Sequence, residues 1–179
     1  EYLASASYAA LAARHPQVAV QVDLDHEVPP MRGSVPHLYK VLMNVVTNAF
    51  EAMPHGGQLT IGTVTRHLDR PYAGYERVGA GDYVVLRVSD TGVGIEAHDL
   101  PRIFEPFYTK KEMGLSGSGL GLAFCKMVVE AHDGRIWAKS WPEQGAIFTF
   151  TLPIAAVHPP SPAPTSDLTL FPVHNHFKK

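Results

Sequence analysis

The segment Tyr83-Val84-Val85-Leu86-Arg87-Val88 reads as a strand, and it must stop at Asp90-Thr91-Gly92-Val93-Gly94-Ile95. Glycine enters positive φ without a Cβ penalty, so two glycines two apart after a carboxylate mark a tight, specified turn. About forty residues upstream stands a second constraint. Leu38, Val41, Leu42, Val45, Val46 and Ala49 recur with a period near 3.6 and predict a helix with one apolar stripe. Ser34 suits its N-cap and Pro36 its first turn, while Pro54 and Gly56-Gly57 stop it. A helix and a strand that both end in glycine turns need a partner layer each.

The remaining chain supplies those layers. Residues 1–14 are alanine-rich, with Leu3, Ala10 and Leu11 at helical spacing, and predict a helix. Val18, Val20, Val22 and Leu24 alternate with polar or small residues as in a strand with one wetter face, ended by Pro29-Pro30. Leu59–Val64 is expected to pair with Tyr83–Val88. Between them, 67–82 carries Pro71, Gly74, Gly79 and Gly81 and predicts a surface excursion, too long for a simple hairpin loop. Leu120 to His132 predicts a helix closed by Asp133-Gly134, followed by strands over 135–141 and 146–152. Strands and helices interleave without a strict βαβ rhythm, which favours an α/β sandwich, one mixed sheet covered on one face by helices. After Pro153 the composition changes, with five prolines in 158–172, so residues 1–154 are expected to form the domain and 155–179 a linker or disordered tail.

Asn44 and Asn48 lie four apart and share one helix face. Two amides on a cleft wall can orient phosphate oxygens, and one carbonyl oxygen can complete a Mg²⁺ octahedron; two solvated asparagines would look the same in isolation. A carboxylate at Asp90 can accept a hydrogen bond from the exocyclic amine of adenine, or can simply close an Asx turn with Thr91 and Gly92. Gly117, Gly119 and Gly121 precede the helix that begins near Leu120, where unpaired amides and the helix dipole favour a phosphate. Lys110 and Lys111 lie just before them and read either as a phosphate contact or as solvated surface lysines.

Each signal alone is weak, but four in this order are not. Asn44-Val45-Val46-Thr47-Asn48-Ala49, Asp90–Ile95, Phe104-Glu105-Pro106-Phe107 and Gly117-Ser118-Gly119-Leu120-Gly121-Leu122 resemble the N, G1, F and G2 boxes of the histidine-kinase catalytic domain. That domain is a branch of the GHKL ATP-binding superfamily, and the resemblance covers roughly residues 1–154. It implies a Bergerat fold, an α+β two-layer sandwich with a mostly antiparallel sheet. It implies ATP and Mg²⁺ as cofactors, and transfer of the γ-phosphate to a histidine. The nucleotide site would comprise Asn44, Asn48, Asp90, Gly92, Gly94, Ile95, Phe104, Phe107, Gly117, Gly119, Leu120, Gly121 and Leu122. Asn48 would be the Mg²⁺ ligand and Asn44 a nucleotide contact, with Lys110 and Lys111 in an ATP lid over 108–118. Phe104 and Phe107 would anchor that lid and help form the contact with the histidine-bearing domain.

Three details refine this. Gyrase-type relatives carry glutamate where Asn44 stands, to polarise water; an amide cannot take up that proton near pH 7, which points to a histidine acceptor with its own nucleophile. Ala146 replaces a threonine that touches the adenine pocket in many relatives. His26-Glu27-Val28-Pro29-Pro30 superficially resembles the H-E-x-x-x-P phosphoacceptor sequence, but Pro-Pro cannot be helix interior. The acceptor is therefore expected on a separate dimerisation domain, normally in the same polypeptide, with a response regulator downstream. A net charge of −2 gives no case for nucleic acid, and no apolar run approaches the roughly 18 residues of a membrane span. With a single cysteine, Cys125, a reducing, cytoplasmic compartment is expected for this domain, the parent being free to be membrane-anchored.

Overall fold

The computed structural model describes residues 2–73, 77–109 and 118–154. Its organising element is α2, Val35–Glu51, whose stripe of Val41, Val45, Val46, Ala49 and Phe50 is buried. Beside it lies α3, Gly121–Ala131, which buries Cys125, Val128 and Val129. Both helices face one sheet. Its strands are β1 (Val18–Asp23), β2 (Gly57–Leu68), β5 (Gly81–Asp90), β6 (Arg135–Trp141) and β7 (Gly145–Pro153). Their order is β1-β2-β5-β7-β6; the β1–β2 pair is parallel and the other three are antiparallel. The two-layer sandwich is as expected.

Pairing puts alternate residues on the helix side. Leu59 and Ile61 on β2, Val88 on β5, Phe148 and Phe150 on β7 and Ile136 on β6 meet Val45, Val46, Phe50 and Met53 in one core. Each such side chain contributes about 1.5–3 kcal/mol by leaving water. The core therefore fixes how α2 lies across β5, and so how far Asn44 and Asn48 stand from the turn after Asp90.

Two expectations are corrected. Residues 1–14 are not one helix: Tyr2–Ala4 is a 3₁₀ turn, and α1 spans Ala6–Arg14. Ser5 is its N-cap, accepting a hydrogen bond from Tyr8 N at 3.2 Å, so it turns the chain and lets Tyr2 reach the core. The 67–82 segment is also less of an excursion than its glycines suggest. The β2–β5 ladder runs on to Leu68↔Gly81, and a small hairpin of β3 (Tyr72–Ala73) and β4 (Arg77–Val78) takes up what lies between. Ser34 sits at the α2 N-cap without a side-chain cap bond; its N–H instead donates to His132 Nε2 at 3.0 Å. The 155–179 tail lies outside the described residues.

Candidate functional site

One flank of α2, with Met43, Asn44, Thr47, Asn48 and Glu51, forms a wall of a cavity of about 470 Å³. The loop after β5 supplies the opposite wall through Gly94, Ile95, Asp99, Ile103 and Tyr108. Gly119, Gly121 and Leu122 close a third side at the start of α3. Residues predicted from segments about eighty positions apart thus meet around one space.

Asp90 lies next to this cavity rather than in its lining. It is only 5% exposed, and its Oδ1 accepts from Gly92 N at 2.9 Å and from Ala146 N at 3.3 Å. The Asx turn is real, and it occupies one carboxylate oxygen. Both of these donors reach the same oxygen, Oδ1. Burial pushes the Asp90 carboxyl above its ordinary value, and backbone N–H groups of Gly92, Ala146 and Asp90 itself oppose that rise.

Backbone interlocks hold the turn. Val93 N donates to Ala52 O at 3.0 Å, Glu143 N to Val93 O at 2.8 Å, and Ile95 N to Ser140 Oγ at 2.8 Å. Gly94 has φ +72, and a Cβ there would stand 2.2 Å from Trp141 O. A Cβ on Gly92 would stand 2.4 Å from Ala52 O. No other residue fits at either position.

The α2–α3 side is built from side chains. Asn44 Nδ2 donates to Gly121 O at 3.1 Å and lies 3.9 Å from Cys125 Sγ. A carbonyl only accepts, so the amide nitrogen must face α3. Cys125 is fully buried, and burial pushes its thiol up to about 12, leaving it inert. The first turn of α3 has Leu120 at its N-cap and no side-chain cap bond, so its amides remain available to a ligand. Gly119, φ +69, is pressed against Phe107, whose N–H donates to Gly119 O at 2.9 Å.

Five predicted residues are not in the cavity lining: Asp90 and Gly92, both in the turn, and Leu120, Phe104 and Phe107. Leu120 is 43% exposed, Phe104 packs edge-on against Phe148, and Phe107 is 74% exposed with φ 65. Lys110, Lys111 and Gly117 lie outside the described residues. Sequence reasoning missed Asp99 and Tyr108. The Tyr108 hydroxyl donates to the buried Asp99 carboxylate, His98 Nε2 lies 3.2 Å from the same group, and the Arg102 guanidinium sits 4.5 Å over the Tyr108 ring. It also missed Thr47 and Glu51, which a three-residue step along α2 from Asn44 and Asn48 would have found. Among the described residues no His, Cys, Asp and Glu cluster could hold a metal ion by itself.

Residues 33–156 match the family model described as histidine kinase-, DNA gyrase B- and HSP90-like ATPase. The chain belongs to this ATPase family. Among curated relatives of these ATPases, the sensor kinase CckA of Brucella abortus is 36% identical over 139 residues, 76% of this chain and 14% of that protein. Sporulation kinase E of Bacillus subtilis is 34% identical over 137 residues, 76% of this chain and 16% of that protein. The chain thus spans less than a fifth of these two proteins. Among solved structures, the nucleotide-free catalytic domain of histidine kinase ThkA superposes with a TM-score of 0.61 at 26% identity, over 82% of this chain and 87% of that one.

Proposed function

We propose that this chain is the ATP-binding catalytic domain of a sensor histidine kinase and passes the γ-phosphate of ATP to a histidine on a separate dimerisation domain. The carrying observation is that Asn44, Asn48 and the uncapped N-terminus of α3 face one cavity, with Asp90 buried beside it. Asp90 would read the adenine amine through Oδ2, its Oδ1 being held by the turn. Gly94 and Ile95 would lie along the base, and the free amides at Gly121 and Leu122 would hold phosphate oxygens. Mg²⁺ supplies charge neutralisation on the phosphates, and it would be held by the Asn48 carbonyl oxygen. That fits a donor set of amides without an acidic cluster, since Mg²⁺ keeps water and phosphate ligands. Lys110 and Lys111 would serve the phosphates from the segment that follows Tyr108.

Asn44 has no basicity to activate water, so the chain's residues bind, orient and exclude solvent while the acceptor histidine brings the nucleophile. The domain would be residues 1–154, in a cytoplasmic compartment where ATP is plentiful. No helix among the described residues is long and apolar enough to cross a membrane. A response regulator would take the phosphate onward.

The test is labelling in trans. The chain alone should bind ATP, hydrolyse it slowly and take up no γ-phosphate. Adding a cognate histidine-bearing domain should yield weak labelling that is acid-labile and alkali-stable, weak because the covalent tether no longer raises effective concentration. Brisk turnover without a partner would overturn the reading and shift attention to Glu51, the cavity-wall carboxylate on α2.

A further inference from the structure

The sheet face turned away from α2 and α3 is furnished unlike a merely solvated one. Antiparallel sheets commonly leave one face wet, with scattered Thr, Lys and Glu. Here both tryptophans of the chain, Trp137 and Trp141, line that face instead of the core, and Trp141 is 50% exposed. Tyr83 joins them around a groove of about 790 Å³. The register explains the shape. Arg87 on β5 stands between Gly62 on β2 and Thr149 on β7, and Thr149 pairs with Trp137 on β6. Gly62 puts no side chain beside the arginine, and a Cβ there would stand 3.2 Å from Asp23 O.

The charge is one-sided. Arg66 and Arg87 line the groove with Lys139, and Asp23 is its lone carboxylate, although the whole chain carries −2. Neither arginine enters an ion pair among the described residues. An exposed Trp141 and half-buried Trp137 and Tyr83 beside unpaired Arg form the composition that interface centres favour, and charge complementarity selects the partner.

We propose that this face docks an acidic polypeptide segment bearing aromatic or aliphatic side chains. A second copy of the chain does not suit it, because face-to-face pairing would set Arg66 and Arg87 against themselves. A nucleic acid suits it less, since a phosphate backbone asks for a long basic track rather than an apolar groove with two flanking arginines. The inference does not rest on the ATP reading, because the groove lies on the opposite face of the sheet from the cavity.

Both tryptophans report directly on the groove, so intrinsic fluorescence is the assay. The probe is a short peptide alternating glutamate and phenylalanine, with its lysine counterpart and a thymidine oligonucleotide as comparators. The acidic peptide should give a saturable shift in emission that weakens with added salt, and the lysine peptide should give none. The Arg66→Glu/Arg87→Glu variant should bind the acidic peptide about ten-fold or more weakly while keeping ATP affinity. If that variant misfolds by circular dichroism, Arg87→Gln serves, with a smaller loss expected. No saturable shift, an equal response to the lysine peptide, or undiminished binding by the folded variants would overturn the proposal. Tighter binding of the oligonucleotide than of the acidic peptide would overturn it in favour of a nucleic-acid face.

Discussion

The two ends of the cavity are held by different means. At the Asp90 end, main chain meets main chain: Gly92 lies against Ala52 O, Gly94 against Trp141 O, and Gly145, φ +95, against Asp90 O. At the α2–α3 end, an asparagine amide reaches a helix carbonyl, and a Cβ on Gly121 would meet the Asn44 side chain no nearer than 3.6 Å, an ordinary contact. The first end is specified by the fold and tolerates no added atom. The second is specified by side chains and can be altered without dismantling the protein. A site that must recognise a fixed group and also pass on a reactive one gains from such a division.

The sharpest way to break this contrast is a matched pair of methyl insertions. Gly94→Ala should cost on the order of 3 kcal/mol, from clash and unfavourable φ together, read as a lower urea midpoint. Gly121→Ala, at a helix start with permissive backbone, should stay within about 1 kcal/mol of the parent. Equal losses would erase the distinction.

Next in size is Asp90→Asn. On the proposed reading, loss of a charge-assisted bond to the base should lower ATP affinity by on the order of 1.5–3 kcal/mol in calorimetry. Stability should move the other way. A carboxyl whose folded pKa is raised stabilises the fold fully below its unfolded pKa and loses that contribution as pH rises through the folded value. Ionising the buried Asp90 therefore costs the fold stability, and the amide avoids that cost. The variant should be at least as stable as the parent at pH 7, its advantage shrinking as the medium turns acidic.

Asn48→Ala sharpens the other end. It should remove most of the Mg²⁺-dependent part of ATP binding and spare binding measured in EDTA. Equal losses in both media would assign Asn48 to the nucleotide or the fold.

The smallest effect lies far from the cavity. The Asp82 hydrogen bond, with Asp69 adding to it, raises the pKa of His67. Its contribution is present below the unfolded value near 6.5 and is lost as pH rises through the raised one. Because the pair is solvent-exposed, His67→Asn should barely change the melting temperature below that window, and salt should erase even that.

What could be read from sequence follows from periodicity and glycine. The α2 stripe announced the helix, and a helix with a known apolar side necessarily turns Asn44 and Asn48 away from it. Two glycines after Asp90 announced the turn because few other residues could make it. Nothing comparable announces Asp99 and Tyr108: they sit in an irregular stretch where no repeat relates position to direction, and only the packed loop joins them. Ser5 was hidden for the opposite reason, because a helix-forming composition on both sides masked a capping residue between. The Leu68↔Gly81 extension of the ladder was hidden by Pro71 and the glycines, which are local statements, whereas strand length is set by the partner.

Cys125 has a use that its chemistry alone does not suggest. The chain has no other thiol, and this one is buried where α3 packs on α2, against Asn44 and the Val41 carbonyl, so a reagent reaches it only when that packing opens. An alkylating reagent therefore acts as a stopwatch on that opening, and comparing its rate with that of global unfolding tells whether the seam beneath Asn44 opens on its own. A cysteine introduced anywhere on the surface would carry a dye or spin label against a silent background, without first removing the native one.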